Sequence, residues 1–167
     1  MVVIADNSVN DHVYPQKADF TFYGGIYRDV YLIVVNKKHF DMDHFSGPGI
    51  QITAKPCEGY KRGNVEINTW TNCEEGTVTV RILDADGKEV ARGEGKQLRL
   101  DIPDVNLWNG LESPYLYTAV ATLTVDGETV DEIRSRFGVR DFHYHPKTGF
   151  YLNGKSYPLR GVSRHQD

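Results

Sequence analysis

Hydrophobic periodicity constrains this chain more than any other feature. No segment of ten or more residues carries apolar groups at the three- and four-residue spacing of a helix, and glycines punctuate almost every apolar run. From about residue 49 to residue 138 the pattern is instead period two. Val65, Ile67 and Thr69 alternate with Glu66 and Asn68, and Val78, Val80 and Ile82 alternate with Thr79 and Arg81. Such alternation turns one set of side chains to a core and the other to water. It predicts strands over residues 50–55, 64–71, 77–84, 89–93, 97–102, 115–125 and 128–137. Asp86-Gly87, Asp126-Gly127 and Asn153-Gly154 supply hairpin turns, because both positions of a two-residue turn must accept positive φ. Seven short strands separated by turn signals predict an all-β chain built on an immunoglobulin-like β-sandwich.

The two ends read differently. From Ile26 to Val35 almost every position is apolar or aromatic, the mark of a strand covered on both faces. Gly24 and Gly25 suit a bulge or a close backbone approach, and Arg28 with Asp29 an ion pair or a pair of backbone hydrogen-bonders. The first forty residues hold too few strands to close a sandwich of their own, so they are expected to be the tail of a larger β domain. At the other end, a second apolar run after Asn153-Gly154 leads into Ser163, Arg164, His165, Gln166 and Asp167. A strand ending in that many polar groups delivers them to a cavity or a surface, and no helix follows it. The expectation is a piece of a longer protein. A strand stripped of its neighbours predicts an apolar edge that stays exposed, or a homodimer that covers Ile26 to Val35.

Bulk properties exclude more than they assign. Hydrophobic residues make up 40% and charged residues 25%, an ordinary globular composition. A net charge of -4 gives no electrostatic reason to expect nucleic acid or an anionic membrane as partner. No apolar run is long enough for a transmembrane helix. No signal peptide is visible, and a piece of a longer protein would have lost one, so the compartment stays open. Cys57 and Cys73 sit at opposite ends of a predicted hairpin, roughly 30 Å apart, which predicts two free thiols. Trp70 and Trp108 read as packing residues in preference to sugar platforms. Leu107, Trp108 and Leu111, in the loop 103–114, are expected to plug the end of the sandwich. His143 and His145 share one face of an extended run but lack further metal ligands nearby and read as solvent-facing imidazoles. His12, His39 and His44 lie in polar connections and point to nothing.

Three stretches together carry a resemblance. DFTFYGGIYRDV (residues 19–30), LWNGLESPYLY (107–117) and RFGVRDF with GFYLNGKSYPLRGVSRHQD (136–167) resemble glycoside hydrolase family 2, specifically its β-galactosidase branch, in order and in spacing. The resemblance implies residues 1–40 as the last strands of a jelly-roll sugar-binding domain, 41–138 as the sandwich, and 139–167 as a linker and the first strand of a (β/α)8 catalytic barrel. It implies a retaining β-galactosidase parent acting on terminal β-linked galactose, with two catalytic glutamates about 5 Å apart that lie beyond Asp167. The segment itself is then expected to be inactive, with no cofactor of its own; the parent would use magnesium and sodium. Glu74, Glu75, Asp84, Asp86, Asp126, Glu128, Asp131 and Glu132 match neither catalytic motif and read as solvated surface charge.

Two residues match family positions that approach the sugar. His165 stands where the family has a histidine hydrogen-bonding the galactosyl ring, at the end of a barrel strand where that fold places its functional groups. Asp19 stands where a carboxylate contacts the sugar hydroxymethyl group and, in some members, sodium, a hard cation suited to oxygen ligands. Ser163 and Gln166 depart from the commoner asparagine and glutamate, which keeps a β-glucuronidase parent open, while Arg164-His165 favours a galactosidase. The rival readings are a stand-alone carbohydrate-binding sandwich using exposed aromatics such as Tyr60 or Trp70, and a purely structural adhesion-type domain.

Overall fold

A computed structural model of the chain describes residues 2–10, 12, 24–26 and 28–163. The described residues contain strands and no helix. They divide into two compact units, one of Val35–Leu159 and one of Met1–Val34 with Arg160–Asp167.

The larger unit is an immunoglobulin-like β-sandwich followed by a small three-stranded sheet. β1 (Ile50–Cys57), β2 (Arg62–Thr69) and β5 (Gln97–Ile102) form one layer in the order β1-β2-β5. The other layer runs β4-β3-β6-β7, from β3 (Thr77–Leu83), β4 (Glu89–Glu94), β6 (Tyr117–Val125) and β7 (Glu128–Phe137). All pairings in the two layers are antiparallel. β4 pairs with β3, whereas a constant-type immunoglobulin domain places its fourth strand in the opposite sheet.

Period-two alternation becomes the core directly. Val65 and Ile67 of β2, Val78, Val80 and Ile82 of β3, and Tyr117, Ala119, Ala121 and Leu123 of β6 are buried against one another between the layers. The valine, isoleucine and leucine members each contribute about 1.5–3 kcal/mol by leaving water. Phe40, which precedes β1, is also fully buried in this core. Its backbone N–H donates to Asp131 Oδ2 at 2.8 Å, and it bridges to Thr71.

Turn chemistry follows the expectation at two of three sites. Asp126 and Gly127 have φ of 52° and 82° between Val125 and Glu128, and Asn153 and Gly154 have φ of 48° and 75° between Leu152 and Lys155. Asp86-Gly87 is different. The Asp84 N–H donates to the Lys88 carbonyl and the Gly87 N–H to the Asp84 carbonyl, so the loop holds three residues, with Gly87 at φ 82°. The β3–β4 register shifts beside Leu83, and a three-residue loop with a left-handed last position accommodates that slip.

β8 (Phe142–His145), β9 (Gly149–Leu152) and β10 (Lys155–Ser156) form the small antiparallel sheet, in the order β10-β9-β8. The run expected as a strand over residues 157–162 carries no strand pairing.

Within the smaller unit the described residues form no strand, so the strand expected from Ile26 to Val35 is not present among them. Leu32 and Val34 are 79% and 86% exposed. Apolar side chains do not make a strand without a neighbour to complete the hydrogen-bond ladder. Gly24 does mark a close approach: a Cβ there would stand 3.1 Å from the Asn7 side chain. Asp29 accepts a hydrogen bond from the Tyr31 hydroxyl at 3.0 Å.

Candidate functional site

Asp19 and His165, the two residues singled out for sugar contact, lie outside the described residues, as do Arg164, Gln166 and Asp167. The best-defined polar constellation is elsewhere, where the small sheet meets the end of the sandwich, and Asn153 is its centre. Asn153 is 8% exposed, and its amide is fully engaged. Nδ2 donates to the Trp108 carbonyl at 3.0 Å and to Asn109 Oδ1 at 2.6 Å, and Oδ1 accepts the Asp141 N–H at 2.9 Å. The Asn153 N–H donates to the Asp141 carbonyl at 2.8 Å. A buried amide with every donor used is rigid and specific, because any rotation leaves an unpaired polar atom behind.

Aromatic rings pressed onto glycines tighten the same junction. A Cβ on Gly138 would meet Trp108 Cβ at 2.8 Å, one on Gly154 would stand 3.0 Å from Tyr60 Oη, and one on Gly110 would collide with the Tyr157 hydroxyl. Arg140 lies over the Trp108 ring at 4.7 Å, a cation–π contact. The Tyr60 turn is unusual, with φ of 49°, 66° and 70° at Glu58, Gly59 and Tyr60. Leu107 packs against the core as expected, but Leu111 is 94% exposed. The loop turns outward there: the Leu111 N–H reaches the Tyr157 hydroxyl at 3.4 Å, and its side chain points to solvent.

Tyr117 ties the start of β6 to the preceding loop, accepting the Asn106 N–H at its hydroxyl at 2.9 Å. Placement and bond resemble the tyrosine corner of immunoglobulin-like domains. Burial raises its pKa above the usual tyrosine value, because the phenolate is costlier to bury than the phenol.

The remaining polar candidates resolve into structural roles. His44 stacks on Trp70 with centroids 3.6 Å apart and planes 15° from parallel, so a histidine that pointed to nothing in the sequence covers the ring that was the rival sugar platform. His39 bonds through Nδ1 to the Asn36 carbonyl at 2.8 Å and lies 3.2 Å from Asn72 Nδ2. His143 stacks on Tyr151, and His145 Nδ1 accepts the Lys147 N–H. Cys57 and Cys73 are free thiols. Two acids read as solvated charge do more than that: Asp131 holds Phe40, and Asp84 Oδ1 accepts the Asp86 and Lys88 N–H groups. The Lys38–Glu75 pair at 3.0 Å raises the lysine pKa; the glutamate is lowered first by its own backbone N–H and then by Lys38. Among the described residues no three His, Cys, Asp or Glu side chains cluster to hold a metal ion, and no helix is long and apolar enough to cross a membrane.

Sequence reasoning found Asn153 only as a turn residue and missed its partners. Its contacts lie 44 and 45 residues away, beyond any local pattern. The available signal was a second Asn-Gly pair, Asn109-Gly110, in a loop already expected to pack on the sandwich.

Comparison with known proteins fits this fold. A β-glucuronidase of Bacteroides fragilis is 33% identical over the whole chain, which spans 26% of its length. A β-galactosidase of Thermoanaerobacter pseudethanolicus is 31% identical over 89% of the chain and 20% of its own length. Among solved structures, an FMN-binding β-glucuronidase from Facaelibacterium prausnitzii L2-6 superposes with a TM-score of 0.84 at 44% identity, over 92% of this chain and 25% of that one. A Ruminococcus gnavus β-glucuronidase superposes at 0.63 with 27% identity, over 75% of this chain and 19% of that one. The chain therefore spans about a fifth to a quarter of the length of these relatives. Residues 48–140, the sandwich from the start of β1 to just past β7, match the profile of glycosyl hydrolases family 2, and this chain belongs to that family.

Proposed function

We propose that this chain is the non-catalytic sandwich portion of a retaining β-glycosidase that removes terminal β-linked glucuronic acid. The observation that supports this sugar is the 44% identity to the Facaelibacterium β-glucuronidase across 92% of the chain. The Bacteroides, Formosa and Streptococcus relatives described as β-glucuronidases point the same way. The galactosidase expected from Arg164-His165 becomes the second reading, favoured by the Thermoanaerobacter relative. The flavin named for the Facaelibacterium protein stays with that protein.

In this proposal residues 1–40 end a sugar-binding domain, 41–138 are the spacer, and 139–167 enter a catalytic barrel. Hydrolysis then needs a proton-donating carboxyl and a nucleophilic carboxylate about 5 Å apart, both supplied by chain outside this segment. The segment's own contribution is rigidity: a closed sandwich whose end is bonded through Asn153 to the sheet that follows. Asp19 and His165 are proposed to touch the sugar, and Asp19 to meet sodium in the parent, where magnesium is also proposed.

The test compares hydrolysis of 4-nitrophenyl β-D-glucuronide and β-D-galactoside by the full-length enzyme and by the 167-residue chain. The full-length enzyme is expected to prefer the glucuronide, and the chain alone to turn over neither. A preference for the galactoside overturns the choice of sugar. Turnover by the pure chain overturns the non-catalytic role.

A further inference from the structure

An open depression of about 420 Å³ lies at one end of the four-stranded sheet, lined by Asp84, Ser113, Tyr115, Thr118 and Arg136 among others. We propose that it is a secondary, non-catalytic subsite for a carboxylate-bearing saccharide, a uronate residue of a glycan. The choice of uronate rests on the glucuronidase proposal; the site itself rests on the geometry that follows.

Arg136 is the first observation. Arg62, Arg92, Arg99 and Arg134 each pair with a carboxylate within 4 Å. Arg136, like Arg81, Arg140 and Arg160, makes no ion pair among the described residues, and of these four it is the one that lines the depression, together with Asp84. It stands on β7 opposite Thr118 of β6, so the strand register sets an uncommitted guanidinium beside a hydroxyl. A guanidinium is a planar fork of donors matched to a carboxylate, and a carboxylate-bearing sugar is the ligand for which that match matters.

The facing side offers what a sugar ring needs. Asp84 takes two backbone N–H groups on Oδ1, which fixes the carboxylate and leaves Oδ2 without a hydrogen bond among the described residues, an acceptor for sugar hydroxyls. The Tyr115 hydroxyl accepts the Ala85 N–H at 3.2 Å and keeps its own proton to donate. Its ring is set edge-on to Tyr117, with centroids 5.0 Å apart, so it is oriented before any ligand arrives. Ser113 and Thr118 add hydroxyls. A few fixed polar groups converging on a concavity are what orient a small ligand. Because the depression is open, the affinity is expected to be weak, with Kd of order 1 mM.

The test is a titration of the isotopically labelled 167-residue chain, followed by backbone amide NMR shifts, with methyl β-D-glucuronide, methyl β-D-glucoside and sodium acetate. Saturating shifts at residues 84, 115, 118 and 136 are expected with the glucuronide, and binding about tenfold weaker with the glucoside, which lacks the charge-assisted contact, and with acetate, which lacks the hydroxyl contacts. Arg136→Gln, at an exposed position, should reduce glucuronide affinity to that of the glucoside without changing Tm. Three results overturn the proposal: no saturation with glucuronide in the tens of millimolar, equal binding of glucoside or acetate, or full affinity in Arg136→Gln. This readout is independent of hydrolysis. A full-length enzyme that cleaves only galactosides sinks the choice of substrate alone, and a failed titration sinks the subsite alone.

Discussion

β6 and the stretch from Ile26 to Val35 invite comparison, because by composition the second is the more hydrophobic. β6 is a nine-residue strand, paired on one side with β3 and on the other with β7, and Ala119, Val120, Ala121 and Leu123 are all at 0% exposure. The other stretch forms no strand among its described residues, and its side chains from Val30 to Val34 are exposed. Hydrophobicity therefore decides what a segment needs to bury, and the ladder on either side decides whether it becomes a strand. The alternation of β6 is legible because its partners lie within the same ninety-odd residues that match the family.

The comparison breaks most cleanly by truncating one leucine from each region. Leu123→Ala opens a cavity in a closed core and should cost about 3 kcal/mol. Leu32→Ala removes a side chain that is already 79% exposed and should stay within about 0.5 kcal/mol. Urea unfolding followed by circular dichroism measures both, and equal losses would mean that the exposed stretch is packed in solution. If it is packed, a second copy of the chain is the cover to look for. Sedimentation velocity should then show concentration-dependent dimers that Leu32→Lys dissociates, because a buried lysine without a partner is costly.

The sandwich was readable because strand alternation and X-Gly turns are local. β5 and β7 appear at the expected residues, and β1 to β4 and β6 within two residues at each end. What escaped depends on distance in space. The Asp86-Gly87 loop gained a residue because β3 slips against β4 at Leu83. Leu111 points outward because the loop backbone is anchored to Tyr157. The His44–Trp70 stack and the Asn153 network join segments whose proximity only the folded chain creates. For the site the sequence reached further than the geometry: Asp19 and His165 rest on resemblance alone, since both lie outside the described residues.

A smaller effect separates the local role of Asn153 from its long-range one. As a turn residue it is interchangeable with aspartate, and the β6–β7 hairpin uses Asp126-Gly127 in the same left-handed conformation. As the centre of the junction it is not, since Trp108 O and Asn109 Oδ1 both need a donor. Asn153→Ala should lose about 2 kcal/mol through unpaired groups. Asn153→Asp should lose more, because it turns a carboxylate oxygen toward two acceptors, while Asp126→Asn in the matching turn should be nearly neutral. Thermal melts of the three variants check the order, and a neutral Asn153→Asp would reduce the residue to its turn.

The smallest effect probes β6 at its first residue. Tyr117→Phe keeps the ring in the core and removes the acceptor of the Asn106 N–H, at a cost of about 1 kcal/mol near neutral pH. Its pH dependence is more informative than its size. Burial raises the folded-state pKa of Tyr117 above the ordinary 10.0, so the unfolded chain releases this proton first. The stability contributed by the neutral phenol is therefore intact below about pH 10 and is lost as pH climbs from there through the raised folded value. Urea midpoints of the wild type and Tyr117→Phe should therefore converge above pH 10, with the wild type ahead below it. Parallel curves across that range would mean that the Tyr117 hydroxyl is as open to water as any surface tyrosine, and that β6 is less completely covered at its start than along its length.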